Sequence, residues 1–389
     1  MELNPRRGLS LALASALSLS VLVAPDALAQ SSASGQPLGQ SDASSAGVEA
    51  SSLSSASLME GPLGDLAFGT HVFGGSSGSS QALGSSTVDI ADTFPDPNAP
   101  AAEFVSLVHE RDNLWTLTVY SPSMQREITN DLVLPEGGPD NTTPRPTYYL
   151  LGGAGGGGWT GAGGAPDFFK DKLINVVTPR GAVGSQQADW AHEDPEMGIY
   201  KWSTYLAKEL PQLIDEMFYG NGTDGIGGMS MSGGPALHIA TMDDRFKVAG
   251  TYSSCQSTTG VLGQPFASST VRFYGGDPAN MWGASSDPAW AEHSPMLNLE
   301  DMRGIKLFAA ASRGVPTETD EEVKDSPMPA LVVDEQFAYA CSRAFVDNAR
   351  DAGLDIDWYE FDEGTHNWGL FRRQLPETWK TIGPALGVE

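Results

Sequence analysis

The segment GIGGMSMSGG, residues 225 to 234, places Ser230 in a stretch of glycine, methionine and serine. Ser230 lies between two methionines, and the residues two positions before and after it carry almost no side chain. A serine presented where a strand turns sharply into a helix needs small neighbours, because the strained backbone crowds the adjoining elements. The segment predicts such a turn, with Ser230 as a nucleophile and with Gly228 and Ser232 as its small flanking residues.

The segment departs from the usual nucleophile-elbow pattern G-x-S-x-G, because Ser232 takes the place of the second glycine. Taken alone, the glycines are equally compatible with a flexible turn. A helix is predicted over residues 231–242, directly after Ser230. Its positive end would face negative charge that develops at the serine.

Short apolar or β-rich runs alternate with helical patterns on both sides of this segment. This alternation predicts an α/β fold with a mostly parallel sheet covered by helices, preceded by an antiparallel portion over residues 115–134. The predicted strands are residues 146–151, 173–178, 225–229, 247–252, 305–310 and 356–361, and the predicted helices are residues 202–218, 231–242, 335–352 and 370–382.

The order of residues along the chain selects a base for Ser230. In an α/β-hydrolase the nucleophile comes first, then the acid, then the histidine. Of six histidines only His366, in EGTHNW after the last predicted strand, has this late position. The pattern alone does not select the acid from the carboxylates after residue 310: Glu318, Asp320, Glu321, Glu322, Asp325, Asp334 and Glu335.

The segment LLGGAGGGGW, residues 150–159, follows the first predicted parallel strand. An oxyanion hole in this fold takes one backbone N–H from the residue after the nucleophile, here Met231, and one from this loop. Bare backbone amides suit that role, although a lid hinge would also be rich in glycine. No G-x-x-x-x-G-K-[ST] motif is present, so the loop is not predicted to bind phosphate.

The N-terminal quarter of the chain has a different composition. Residues 1–29 combine Arg6 and Arg7, an apolar stretch and an A-x-A cleavage signature, which predicts a signal peptide and a protein exported from the cytoplasm. Residues 30–100 are rich in Ser, Gly and Ala and predict a disordered spacer. Residues 101–389 are expected to form the catalytic domain.

The formal net charge of −27 argues against nucleic-acid partners and against electrostatic docking on anionic membranes. No transmembrane segment is predicted after signal cleavage, and neither a cofactor nor a metal site is expected. The two cysteines are Cys255 and Cys341. An oxidising compartment favours a disulfide between them, with two buried thiols as the alternative.

Several segments together resemble the secreted mycolyltransferases of the antigen 85 family and their corynebacterial relatives, most closely the latter. The resemblance covers nearly all of residues 114–379, and its most specific motif is the stretch around MWGASSDPAW. The segments are SPSMQREI (121–128), YLLGG (149–153), YKWSTYLAKELP (200–211), GGMSMSGGPAL (227–237), NMWGASSDPAWAEHSPM (280–296) and GTHNW (364–368).

The resemblance implies an α/β-hydrolase fold and a Ser-Glu-His triad of Ser230, Glu335 and His366. It places the oxyanion donors on Met231 and Ala154. It further implies substrate contacts from Arg126, Trp159, Trp282 and Trp368. Lid candidates over an apolar acyl-chain trough are Phe266, Phe273, Met281 and Trp282, with ordinary core packing as the alternative for each of them. Family members that bind trehalose most plainly carry an acidic residue and an arginine at the positions of Gly152 and Gly155. Because this sequence lacks both side chains, the identity of the acceptor stays open.

The resemblance implies a secreted cell-envelope enzyme that moves a mycolyl group from trehalose monomycolate, through a serine acyl-enzyme, to an envelope acceptor. That acceptor is trehalose monomycolate, arabinogalactan or a protein hydroxyl. Two alternatives remain: a secreted carboxylesterase that uses water, and a non-catalytic envelope binding protein of the same fold.

Overall fold

A computed structural model describes residues 86–318, 320 and 328–388 of the chain. The predicted signal peptide and most of the predicted spacer lie outside the described residues, as do Glu321, Glu322 and Asp325. Within these ranges, no helix is both long and apolar enough to cross a membrane.

A nine-stranded sheet forms the centre of the molecule, in the order β1-β2-β3-β5-β4-β6-β7-β8-β9. The pairs β1–β2, β2–β3 and β3–β5 are antiparallel, and the remaining pairs are parallel. The strands are β1 (Glu103–Arg111), β2 (Leu114–Ser121), β3 (Arg126–Val133), β4 (Arg145–Leu151), β5 (Asn175–Pro179), β6 (Gly220–Met229), β7 (Phe246–Tyr252), β8 (Lys306–Ser312) and β9 (Ile356–Phe361).

Helices cover both faces of this sheet. They are α1 (Ala165–Phe169), α2 (Trp202–Thr204), α3 (Leu210–Phe218), α4 (Gly233–Ala240), α5 (Gly260–Phe273), α6 (Pro278–Trp282), α7 (Ala289–Glu292), α8 (Met328–Asp351) and α9 (Trp368–Leu386). A π-helical turn, Tyr205–Glu209, joins α2 to α3. The predicted α/β class and the mostly parallel sheet are confirmed.

Neighbouring residues of the central strands supply two separate hydrophobic cores. Tyr148 belongs to the core that contains α9, whereas Tyr149 belongs to the larger core on the other face. This alternation follows from the two-residue period of a strand. Because both faces are covered, every residue of β4 and of β5 is buried. Strands that are buried on both faces have nearly continuous apolar sequences, and this feature made them predictable.

Residues 86–100 differ from the predicted spacer, because they pack on the domain. The carboxylate of Asp287 accepts hydrogen bonds from Ser86 Oγ (2.6 Å), Thr87 N (2.5 Å) and Thr87 Oγ1 (2.7 Å). Further along, Phe94 stacks on His293, with ring centroids 4.8 Å apart. The boundary at residue 100 is therefore wrong for these fifteen residues, since composition does not register side chains that bond to distant parts of the fold.

Candidate active site

The carboxyl ends of the parallel strands β4, β6, β7, β8 and β9 converge at one edge of the sheet. In open α/β sheets, ligand sites lie outside these ends. Strand β6 ends at Met229, and Ser230 begins a single 3-10 turn, Ser230–Ser232, that leads into α4. The predicted helix over residues 231–242 thus becomes regular only at Gly233.

Ser230 has the strained backbone expected of a nucleophile elbow. Its φ angle is 52°, in the left-handed region that non-glycine residues rarely adopt. A Cβ placed on Gly228 would lie 2.1 Å from the backbone oxygen of Ser232, so only glycine fits two residues before the serine. The turn thereby holds the Ser230 hydroxyl at the sheet edge.

A continuous hydrogen-bonded chain joins Ser230, His366 and Glu335. The Oγ of Ser230 is 2.9 Å from Nε2 of His366, and Nδ1 of His366 is 2.9 Å from Oε2 of Glu335. A carboxylate only accepts hydrogen bonds, so Nδ1 carries the imidazole proton and Nε2 is free to accept the proton of Ser230. This geometry suits removal of the hydroxyl proton as the oxygen attacks a carbonyl carbon.

Glu335 is fully buried, and each of its carboxylate oxygens has a partner. Oε1 accepts from the backbone N of Ser312 (2.8 Å) and from Oγ of Ser253 (2.8 Å), while Oε2 faces His366. Ser253 is fixed in turn, because Gln374 Nε2 donates to its hydroxyl at 2.8 Å. The surrounding groups therefore fix the orientation of the acid before any substrate arrives.

The pKa of His366 is raised above its usual value of 6.5. Burial on its own would lower the pKa, but the hydrogen bond and charge of Glu335, together with the charge of Asp334, outweigh burial. Asp334 itself has a pKa raised to about 6, because burial opposes its ionisation. The two neighbouring carboxyl groups thus favour the imidazolium form of His366, the form that a histidine base takes in a serine triad.

The glycine-rich loop after β4 lies against the nucleophile. A Cβ placed on Gly153 would stand 3.3 Å from Cβ of Ser230, and one on Gly152 would stand 2.6 Å from the backbone N of Gly157. The loop folds tightly back on itself, which requires glycine. Met231 directly follows Ser230 on the elbow, and Ala154 directly follows Gly153, the loop residue that lies against Ser230.

The residues predicted to contact substrate divide into two groups. Trp159 and Trp282 are at most 2% exposed. Trp159 donates from Nε1 to the backbone oxygen of Leu151, and Trp282 stacks on His293 with ring centroids 4.5 Å apart. Both rings fill the core of this structure, and their predicted substrate contacts stay predictions. Met281, one of the lid candidates, is likewise fully buried.

Arg126 and Trp368 are both partly exposed, but Trp368 lies beside the triad whereas Arg126 lies on β3, three strands from β6 in the sheet. Trp368 begins α9, two residues after His366, and its ring packs edge-on against Phe371 and Trp159. Arg126 starts β3 beyond the carboxyl end of β5, and its guanidinium lies 5.1 Å from the ring centroid of Tyr200. The lid candidates Phe266 and Phe273 lie on α5 and are also partly buried, Phe266 against Phe337 at 4.5 Å.

A disulfide joins Cys255 to Cys341. Cys255 follows Ser254, whose hydroxyl donates to the backbone oxygen of Ser230 at 2.6 Å. Cys341 lies on α8, the helix that carries Glu335. The cross-link therefore ties the segment that contacts Ser230 to the helix that carries Glu335.

Sequence reasoning missed the residues that support the triad. Ser253 directly follows β7, and Ser312 is the last residue of β8. Both lie at the same edge of the sheet as Ser230. Polar residues at the carboxyl ends of buried parallel strands are a signal that points to a site. That signal is visible in TYSS and AAAS, but it does not show which serine would bind the acid.

Comparisons with known proteins agree with this geometry. A protein-family model described as "Putative esterase" matches residues 121–382, which is more than half of the chain. The chain is 30% identical over 291 residues to the diacylglycerol acyltransferase/mycolyltransferase Ag85B of Mycolicibacterium smegmatis, covering 70% of this chain and 85% of that protein. The chain is an antigen 85-like member of the esterase family.

Other relatives of this antigen 85-like chain support the same assignment. It is 29% identical over 288 residues to the diacylglycerol acyltransferase/mycolyltransferase Ag85A of Mycobacterium leprae, covering 70% of this chain and 83% of that protein. The S-formylglutathione hydrolase of Agrobacterium tumefaciens shares the fold, with a TM-score of 0.52 and 16% identity over 73% of this chain and 100% of that one. The relatives support an acyltransferase or esterase activity.

Proposed function

We propose that this protein is a secreted acyltransferase that moves a mycolyl group from trehalose monomycolate, through an ester on Ser230, to a hydroxyl of the cell envelope. The proposal is carried by the hydrogen bonds that connect Ser230 to His366 and His366 to Glu335. The similarity of this protein to mycolyltransferases supports it. The predicted signal peptide over residues 1–29 and the spacer after it, ending before Ser86, would deliver the domain outside the cytoplasm.

The first half-reaction forms the acyl-enzyme. His366 Nε2 takes the proton of Ser230 as Oγ bonds to the ester carbonyl carbon. The backbone amides of Met231 and Ala154 donate to the resulting oxyanion, and Glu335 stabilises the imidazolium. When the tetrahedral intermediate collapses, the carbon–oxygen bond to trehalose breaks, and His366 returns the proton to the departing sugar oxygen.

The second half-reaction reverses these roles for the acceptor. An acceptor hydroxyl gives its proton to His366 and attacks the acyl carbon, and the released Ser230 oxygen regains a proton from the imidazolium. With a second trehalose monomycolate as acceptor, the products are trehalose dimycolate and trehalose. Trp368, two residues after His366, and Arg126, further along the sheet on β3, are the partly exposed side chains proposed to hold the sugar.

Hydrolysis by the same residues is the second candidate function, because the matching family is described as an esterase. Purified protein incubated with trehalose monomycolate separates the two. We expect trehalose dimycolate as the main lipid product. Free mycolic acid without dimycolate would instead assign a carboxylesterase, and no turnover together with no fluorophosphonate labelling of Ser230 would favour a non-catalytic binding protein.

A further inference from the structure

Ser232 replaces the second glycine of the usual elbow pattern, and its hydroxyl is fully buried. Its Oγ donates to the backbone oxygen of Gly152 at 2.5 Å and accepts from Nε2 of Gln187 at 3.0 Å. Ser232 therefore joins the elbow to the glycine-rich loop through one side-chain atom. A glycine at this position would have no group to make either bond.

The loop beyond Gly152 is held by two further hydrogen bonds. The backbone oxygen of Gly153 accepts from the N of Gly156 at 2.8 Å, and that of Ala154 accepts from the N of Gly184 at 3.1 Å. The carbonyl of Gly153 and the N–H of Ala154 belong to one planar peptide unit. The direction of the Ala154 N–H is thus fixed within the loop, and the Ser232 bond fixes the loop relative to the elbow.

Gln187 keeps the Ser232 hydroxyl in this orientation. The side chain is 3% exposed, and the residue has a φ angle of 47°, a conformation that costs free energy. Its amide donates to Oγ of Ser232, so the hydroxyl proton must point elsewhere, and the carbonyl of Gly152 is the acceptor that it reaches. The strained residue thereby directs the donor toward the loop.

We propose that Ser232, oriented by Gln187, is a positioning residue that sets the spacing between the two amides of the oxyanion hole, Met231 on the elbow and Ala154 on the loop. The proposal rests on the proposed function. Transition-state stabilisation depends on donors placed within a few tenths of an ångström of the developing oxyanion. Without the Ser232 bond, the loop amide is free to move away from the elbow amide.

Ser232→Ala removes the bond with little change in volume. Loss of a whole oxyanion donor lowers kcat by about 10²- to 10³-fold, so we expect a loosened donor to lower kcat by about 10- to 100-fold with p-nitrophenyl butyrate. The KM should change less than about threefold, because the bond matters chiefly in the transition state. Affinity for a trifluoromethyl ketone, which forms an oxyanion on Ser230, should fall by the same factor as kcat.

Ser121→Ala is the matched control. Ser121 is also a fully buried serine, and its hydroxyl donates to Glu209 at 2.6 Å and accepts from the N of Met124 at 3.2 Å. We expect the kcat of this variant to stay within about threefold of the wild type. Ser232→Gly also lacks the hydroxyl, so it serves as the second test if the alanine variant does not fold. A kcat of both Ser232 variants equal to that of Ser121→Ala would overturn the proposal.

Hydrogen exchange separates this proposal from the proposed function. In Ser232→Ala, the amides of Gly156 and Gly184, which donate to the loop carbonyls of Gly153 and Ala154, should exchange about tenfold faster than in the wild type, whether or not the protein turns over an ester. Unchanged exchange would refute the Ser232 bond as a clamp. A wild-type protein with a protected loop but no turnover would refute the proposed function alone.

Discussion

Replacement of Glu335 by glutamine tests the triad with almost no change in shape. In the wild type, Oε1 accepts from the backbone N of Ser312 and from Oγ of Ser253. A backbone N–H cannot accept, so the oxygen of the new amide must stay on that side, and its NH₂ group must face His366. Nδ1 of His366 then has to accept, which moves the ring proton to Nε2, the atom that should receive the proton of Ser230.

A histidine held in the wrong tautomer lowers kcat by about 10⁴-fold in a serine protease, which corresponds to about 5 kcal/mol of lost transition-state stabilisation. We therefore expect Glu335→Gln to lose about 10³- to 10⁴-fold in kcat with p-nitrophenyl butyrate, with a thermal midpoint close to that of the wild type. The assay is initial-rate hydrolysis at pH 8, with circular dichroism to follow unfolding.

Asp334→Asn is the control for Glu335→Gln, since Asp334 is the neighbouring carboxyl group and interacts with His366 through its charge only. Its kcat should stay within about fivefold of the wild type. A Glu335→Gln variant that keeps more than a tenth of the wild-type kcat would refute the reasoning. A large loss confined to Asp334→Asn would transfer the role of the acid to Asp334.

Four further predictions concern pH and stability. His366 must be neutral to act as the base, and its pKa is raised, so the acid limb of the kcat/KM profile should lie above pH 6.5. Asp334→Asn removes a charge that raises this pKa, so the limb should move to lower pH. A limb at the same pH in the variant and the wild type would contradict this. His238 has a pKa lowered to about 4 by burial, so the unfolded state binds the proton first as pH falls below 6.5. Buried carboxyl groups with raised pKa values, such as Asp224, have the opposite effect in this range, so urea unfolding of the wild type is compared with that of His238→Gln. Relative to the variant, the wild type should lose about 2 kcal/mol between pH 7 and pH 5, and parallel profiles of the two proteins would be inconsistent with a buried neutral His238. Replacement of both Cys255 and Cys341 by serine opens a loop of 86 residues. The free energy of unfolding should fall by about 4 kcal/mol, and a loss below about 1 kcal/mol in a denaturant titration would argue against a stabilising disulfide. Asp287→Ala removes the carboxylate that accepts hydrogen bonds from Ser86 and Thr87. The amides of residues 86–100 should then exchange faster, while those of the central sheet stay protected. Exchange in residues 86–100 equal to that of the wild type would show that this contact does not hold the segment.

The central sheet was predictable because its strands are buried on both faces. Residues 356–361 were predicted as a strand with the bounds that the structure has, and the other parallel strands were placed within a few residues. The exposed strand β1 was missed, since its surface residues leave no continuous apolar run. Helix α5 was missed as well, because Gly260, Gly263 and Pro265 lower its intrinsic helix propensity.

The candidate site was predictable where chain order constrains it and not where packing decides. The elbow segment pointed to Ser230 and chain order to His366, and the structure holds Oγ of Ser230 2.9 Å from Nε2 of His366. Glu335 came from the family resemblance, because no local pattern separates it from six other carboxylates. The burial of Trp159 and Trp282 depends on residues far away in the sequence, so a motif that contains them could not show whether they face the substrate or the core.

The most direct test of the account is the identity of the residue that carries the acyl group. Purified protein would be mixed with trehalose monomycolate, quenched within one turnover, digested and analysed by mass spectrometry. The account predicts one mycolyl ester, on the peptide that contains Ser230, and its loss in Ser230→Ala. An ester on another residue, or undiminished turnover in Ser230→Ala, would contradict it.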